Sequence, residues 1–264
     1  MIIGKISAIR RYPVKSMSGE TLDLARITSN GLWGDRARAL FDPTEKRVAS
    51  AKHVDRFSGL LYFNAQYVKG EWQSSELPPV DVRFPDGRIV RTDTEEFVES
   101  LSKWFGKPTA ISSITDDPSM RPQAGKYAMP DTYFDYAPLH LLTDTAMASL
   151  ARNSPESLVT LERFRPNLLI ESFEYGDYPE NNWVTKRIRI GAEVLLQLTD
   201  PCPRCAVPTL AQHKLPKDAK LLKNIAATNT VHVPALQSDQ PCLGAYAFVL
   251  HGGMVSLGDE VTLE

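Results

Sequence analysis

Nineteen prolines and fifteen glycines punctuate this chain, and they confine it to short segments. Proline fixes φ and lacks a backbone N–H, while glycine supplies turn conformations, so long helices are excluded over most of the sequence. Between these breaks lie β-like runs at Ile2–Ile9, Leu22–Thr28, Ala37–Asp42, Leu60–Val68, Val80–Phe84 and Arg88–Arg91, with Pro85-Asp86-Gly87 as a hairpin turn. A helix is predicted after Asp93 or Thr94. It has Glu95 and Glu96 in its first turn and Phe97, Leu101, Trp104 and Phe105 on one core-facing stripe, before Gly106 and Pro108 stop it. Residues 115–132 are turn-rich and aperiodic, which reads as a long surface loop and a seam between domains 1–114 and 115–264. Beyond it, strands are expected at Leu139–Leu142, Asn167–Glu171, Arg187–Ile190, Val194–Leu198, Ala245–Leu250 and Glu260–Leu263. Helices are expected from Thr143 to Arg152, over Pro155–Arg163 and over Asp218–Ala226. Many short strands with few helices predict a mixed α/β fold built on a β-barrel.

Composition narrows the class. The 264 residues are 42% hydrophobic and 23% charged with net charge −2, and no apolar stretch approaches the roughly 20 residues that span a bilayer. Met1-Ile2-Ile3-Gly4-Lys5 is too short in apolar length for a secretory signal. Three cysteines do not make a disulfide framework, so a reducing, cytoplasmic compartment is expected, with no membrane and no nucleic acid as partner. Charge is uneven: residues 1–60 hold eleven Lys/Arg against six Asp/Glu, whereas residues 71–100 hold three Arg against eight Asp/Glu. A basic N-terminal third attracts an anion such as phosphate, or is a solvated face.

Two cysteines stand together in Asp200-Pro201-Cys202-Pro203-Arg204-Cys205, at the end of the predicted strand. A zinc site wants four ligands, and only Cys242 with His213 or His251 could extend the set, at no standard spacing. A thioredoxin-like pair needs a helix to start here, which Ala206-Val207-Pro208-Thr209 resists. Two inert buried thiols are a further reading. A single soft thiolate for a metal held mostly by something else is the last, with Arg204 placed to favour the ionised sulfur.

Two other segments carry chemistry. Lys15 and Ser16 follow a proline-fixed strand end in Arg10-Arg11-Tyr12-Pro13-Val14-Lys15-Ser16, and the turn Gly31-Leu32-Trp33-Gly34-Asp35-Arg36 presents Arg36. Both suit an anion, though such residues at strand ends also serve as plain surface. In Arg163-Phe164-Arg165-Pro166-Asn167 the proline is expected to push Arg165 into an extended conformation. There is no nucleophile elbow, phosphate loop with lysine, two-histidine helix or dinucleotide fingerprint.

Taken in order, Tyr12-Pro13-Val14-Lys15-Ser16, Gly34-Asp35-Arg36, Phe164-Arg165-Pro166-Asn167 and Cys202-Pro203-Arg204-Cys205 resemble the MOSC proteins (molybdenum cofactor sulfurase C-terminal domain) with their N-terminal MOSC extension. The similarity is greatest to the amidoxime-reducing branch and its bacterial counterparts, and it runs from about residue 3 to residue 262. It implies a MOSC β-barrel packed against a smaller N-terminal α/β domain, with roughly the first 35 residues contributing to the barrel side of a shared pocket. It also implies that Cys205 ligates molybdenum and that Lys15, Ser16, Arg36 and Arg165 grip the phosphate of the pterin, with Asp135 and Asn167 also in the cofactor pocket. The implied activity is reduction of N-hydroxylated compounds (hydroxylamines, amidoximes, N-hydroxylated bases) on the molybdenum cofactor, with electrons from a separate protein. Pyridoxal phosphate is associated with the family only at its broadest level. The family also implies an alternative, a sulfur carrier holding a persulfide on Cys205. Two departures stand out: Pro203 replaces a serine of the animal enzymes, and Tyr136 replaces a small hydroxyl residue.

Overall fold

The computed structural model describes residues 1–53, 57–69, 77–122 and 132–264. Of the loop expected over 115–132, residues 123–131 lie outside the described residues. The chain divides into two compact units, one formed by Met1–Arg10, Thr21–Trp33 and Ala137–Glu264, the other by Arg11–Glu20 and Gly34–Tyr136.

The first unit is built on a closed barrel of seven strands. These are β1 (Ile2–Arg11), β2 (Leu139–Thr143), β3 (Leu168–Ser172), β4 (Arg187–Ile190), β5 (Val194–Pro203), β6 (Ser238–His251) and β7 (Glu260–Leu263). The ring runs β1–β3–β2–β6–β5–β4–β7 and back to β1. Only β2 and β3 pair in parallel within it. Closure follows from alternation, because one face of every strand is apolar and closing the sheet removes its edges. Val194, Leu196 and Leu198 of β5 share one core with Ile188 and Ile190 of β4, Leu168 and Ile170 of β3, and Trp183. Each such large apolar side chain contributes about 1.5–3 kcal/mol by burial. A second apolar cluster joins Ala146 and Leu150 of the helix Asp144–Arg152 to Leu221 and Ile225 of the helix Lys220–Thr228, with Phe164 between.

The second unit has two three-stranded sheets, Ala110–Ser113/Arg38–Asp42/Arg47–Val48 and Asn64–Tyr67/Val80–Arg83/Ile89–Arg91, and the helix Glu95–Phe105. That helix starts after Thr94 and ends at Gly106 in the left-handed conformation (φ 64°). Phe97 and Leu101 are buried with Phe63 and Phe84. Trp104, expected in the core, is instead 41% exposed and meets Phe63 edge-on at 5.7 Å.

Tyr133 Oη donates to Ser112 Oγ at 2.7 Å and ties its segment to the second unit. Three further expectations are corrected. Leu60–Val68 splits into a 3₁₀ turn, Leu60–Tyr62, and the strand Asn64–Tyr67, since Gly59 at φ 83° turns the chain before it. The helix over Pro155–Arg163 shrinks to Leu161–Phe164, because Ser154–Ser157 forms a turn of its own, Ser157 N donating to Ser154 O. Finally, β5 does not stop at Leu198 but continues through Pro201 to Pro203. Register shifts against β6 between Leu198 and Asp200 and between Pro201 and Pro203 accommodate residues that cannot donate to a ladder. No described helix is long and apolar enough to cross a membrane.

Candidate functional site

In the second unit, Tyr12–Lys15 is laced to residues 36–38: Arg36 N donates to Tyr12 O (2.7 Å), Arg38 N to Pro13 O (3.1 Å) and Lys15 N to Arg38 O (2.8 Å). This lacing brings the Lys15-Ser16 motif beside the Gly34-Asp35-Arg36 turn. Asp35, itself buried, accepts from Tyr12 N through Oδ1 at 2.7 Å and pairs with Arg36 through Oδ2. The Arg36 guanidinium lies over the Tyr12 ring, 4.8 Å from its centroid. Gly34 makes the turn possible: its φ is +76°, and a Cβ there would meet the Tyr67 ring at 2.7 Å.

Lys15 Nζ donates to Tyr133 O (2.8 Å) and Asp135 Oδ1 (2.7 Å). Lys52 Nζ holds the other carboxylate oxygen, Asp135 Oδ2, at 2.8 Å. Burial, the largest effect, holds the Lys15 ammonium below its ordinary pKa against the pull of Asp135, and the charges of Lys52 and Arg36 act with burial. Desolvation alone pushes the Asp135 carboxyl up, but Lys15 and Lys52 together bring it well below the usual carboxylate range. The cluster is thus two lysines sharing one ionised carboxylate, with Arg36 alongside. Ser16 Oγ accepts from Ala51 N at 3.0 Å, which leaves its own proton to donate. Lys52 was missed in the sequence, where nothing around Ser50-Ala51-Lys52-His53 sets it apart.

In the first unit, the cysteines separate by environment. Cys202 and Cys242 are buried, and Cys205 is exposed just beyond the end of β5. Burial raises the Cys202 thiol pKa, Arg204 opposing it, and raises that of Cys242 to about 12. Arg204, expected to serve the reactive sulfur, donates from Nη1 to Cys202 Sγ (2.9 Å) and from Nη2 to Phe164 O (2.9 Å). Among the described residues no group of three or more His, Cys, Asp or Glu side chains is placed to hold a metal ion. The described side chains therefore do not make the zinc site considered for the cysteines. One exposed soft sulfur ligand suits a metal whose other ligands come from a cofactor.

Arg165 overturns the expectation of an extended residue before proline. It sits at φ 58°, ψ 47° as the left-handed cap of Leu161–Phe164, and its N–H donates to Leu161 O at 2.8 Å, a bond that outweighs the pre-proline restriction. Seven non-glycine residues described here have positive φ, and Ser16, Arg36 and Arg165 are three of them. Strain of about 1–3 kcal/mol at each thus falls on three residues picked from sequence for one function. Asn167 is buried. Its Oδ1 accepts from His140 N (3.2 Å) and its Nδ2 donates to Arg10 O (3.3 Å), so its side chain fastens β1 to β2 beside Arg165. Lys15, Ser16, Arg36 and Asp135 belong to one unit; Arg165, Asn167 and Cys205 belong to the other.

The family model for the MOSC domain matches residues 130–262, just over half the chain. The mitochondrial amidoxime reducing component 2 of Rattus norvegicus is 23% identical over 289 residues, covering 98% of this chain and 83% of its own; that of Bos taurus is 22% identical with the same coverage. Among solved structures, the YUAD protein from Bacillus subtilis aligns over 99% of this chain and 96% of its own, at 11% identity and TM-score 0.46. YiiM from Geobacillus stearothermophilus aligns over 48% of this chain and 54% of its own, at 17% identity and TM-score 0.35.

Proposed function

The chain belongs to the MOSC domain family, and from that premise we propose that it is a molybdenum-cofactor-dependent reductase of N-hydroxylated compounds. The observation that carries the reading is the contrast among the cysteines: two are buried thiols, while Cys205 alone is exposed, just beyond a barrel strand. The similarity to the amidoxime reducing components over nearly the whole chain supports the same reading.

In this reading Cys205 supplies the protein's ligand to molybdenum. In the second unit Lys15, Lys52 and Arg36 offer charge, and Ser16 a hydroxyl proton, to a phosphate; in the first, Asn167 keeps Arg165 in place. Asp135, being ionised, does not bind the anion itself; it pairs with the ammonium groups of Lys15 and Lys52 and competes with the anion for them. When bound, the cofactor supplies the two-electron oxygen-abstraction chemistry. The balanced reaction is R–NHOH + 2 e⁻ + 2 H⁺ → R–NH₂ + H₂O, with the electrons delivered by a separate donor protein. The side chains contribute anchoring and a preorganised positive field, which costs no reorganisation during turnover.

The test is Cys205→Ser, made in a host that synthesises the cofactor and assayed with an artificial electron donor. Turnover of hydroxylamines and amidoximes is expected to vanish while the far-UV circular dichroism stays unchanged. Wild-type turnover by this variant would overturn the ligand role. Metal-free wild-type protein carrying labile sulfur on Cys205 would replace the reductase by a sulfur carrier.

A further inference from the structure

Arg163 is fully buried, and no carboxylate among the described residues forms an ion pair with it. Its guanidinium donates only to backbone carbonyls: Nε to Leu158 O (2.8 Å), Nη1 to Pro208 O (2.8 Å) and Leu210 O (3.4 Å), Nη2 to Pro216 O (2.8 Å). Burial accordingly lowers its pKa, with Asp218 opposing. A buried cation without a counter-ion costs several kcal/mol unless its donors are satisfied. Here the acceptors lie mostly in one segment, the one that follows Cys205.

That segment wraps around the guanidinium. Asp218 N donates to Thr209 O (2.8 Å), so its ends meet; Thr209 N donates to Ala206 O (2.9 Å), and Gln212 and Leu215 exchange a pair of bonds. This is a compact surface loop whose centre is filled by a side chain from outside it. On the other side of Cys205, Arg204 Nη2 grips Phe164 O at 2.9 Å. The residues flanking Cys205 are therefore fastened to consecutive residues of one turn: Arg204 to Phe164 and Pro208 to Arg163. The next residue of that turn is the strained Arg165.

We infer that Arg163 is a positioning residue that locks the loop after Cys205 and fixes the direction of its sulfur. Cys205 hangs between two guanidinium–carbonyl clamps, so an exposed thiol is rigid where an ordinary loop would let it wander. The role as a positioner of a metal ligand rests on the reading of Cys205 given above; the clamp itself does not.

The experiment is hydrogen exchange by mass spectrometry on Arg163→Met and Arg163→Lys, with molybdenum content and the rate of Cys205 alkylation by iodoacetamide in metal-free protein. Both replacements keep an unbranched stem in the core; methionine removes every donor and lysine keeps one charged end. Amides of residues 205–216 should exchange at least tenfold faster in Arg163→Met while β1, β4 and β7 keep wild-type protection, and Arg163→Lys should restore part of the loss. Molybdenum per chain should fall at least threefold in Arg163→Met, and the alkylation rate should change at least threefold. Unchanged exchange at 205–216, or equal acceleration throughout the barrel, overturns the clamp. If both variants fail to fold, Arg163→Gln, which keeps two neutral donors, carries the same measurement. A loosened loop in a protein whose Cys205→Ser variant keeps its molybdenum sinks the ligand reading and leaves the clamp standing.

Discussion

Cys205, Lys15, Ser16, Arg36 and Arg165 could be picked from the sequence because each is a residue type whose chemistry is local and sits in a recognisable motif. What the sequence hid is conformation and partnership. Arg165 takes the left-handed state because one N–H bond to Leu161 O closes the preceding turn, a contest that no propensity settles in advance. Lys52 is found only through Asp135, far along the chain. Arg204 turns to Cys202 because that sulfur, fixed inside β5, lies within reach of its guanidinium. Lys52→Met is expected to leave the melting temperature within a few degrees, because its ion pair with Asp135 is partly exposed and contributes little to stability. Lys15→Met strips Tyr133 O and Asp135 of a largely buried donor and should lower the melting temperature further. Each should weaken retention of the cofactor by about tenfold, the worth of roughly one charge-assisted hydrogen bond. Dialysis followed by phosphorus and molybdenum analysis measures it. Asp135→Asn should act in the opposite sense on phosphate, since it removes the competing carboxylate, and isothermal titration with inorganic phosphate at low salt reads the sign.

Elements were legible where one periodicity ruled and illegible where punctuation was overridden. The helix Glu95–Phe105 follows its stripe and its stop signals, whereas Pro155 opens a turn and no helix. The strand expected to end at Leu198 continues through Pro201 and Pro203, because the bulges against β6 remove the need for their missing donors. The start of the helix Asp144–Arg152 also carries a titratable device. Thr143 Oγ1 accepts from Ala146 N (3.0 Å) and donates to Glu180 Oε2 (2.7 Å), while Gly244 N donates to Glu180 Oε1 (3.1 Å). Burial drives the Glu180 pKa up to about 7. The folded state therefore binds this proton more tightly than the unfolded chain, so the contribution is full at acid pH. It is lost as pH rises from the unfolded carboxylate pKa through about 7. Relative to Glu180→Gln, the wild type should lose on the order of 3 kcal/mol between pH 5 and pH 8 in urea unfolding; equal slopes for both would refute it. Gly244, at φ +83°, has no room for a side chain: a Cβ would sit 2.3 Å from His140 Nε2 and 2.4 Å from Leu141 O. Gly244→Ala should destabilise the barrel by about 2 kcal/mol or more, visible in the same unfolding assay.

On the scale of the whole chain, the strand-dominated class was readable in the sequence. Short alternating runs favour strands, and a sheet with one apolar face buries it either by packing on another layer or by closing on itself; the seven-strand ring is the second solution. The division into units interleaves the sequence, with residues 1–10 and 21–33 in the barrel unit and 11–20 in the other. A linear reading for linkers cannot find such a boundary, because no composition shift marks a chain that leaves a unit and returns. The basic excess of residues 1–60 resolves in part into Lys15, Arg36 and Lys52 gathered with Asp35 and Asp135, a local field that suits one anion. In the proposed function the sulfur of Cys205 anchors a molybdenum-bearing group. Elemental analysis of the purified chain from a cofactor-competent host, beside its Cys205→Ser variant, tests it most directly. Stoichiometric molybdenum in the wild type and its loss in the variant at unchanged fold are expected; equal molybdenum in both, or none in the wild type, would sink the ligand role of Cys205.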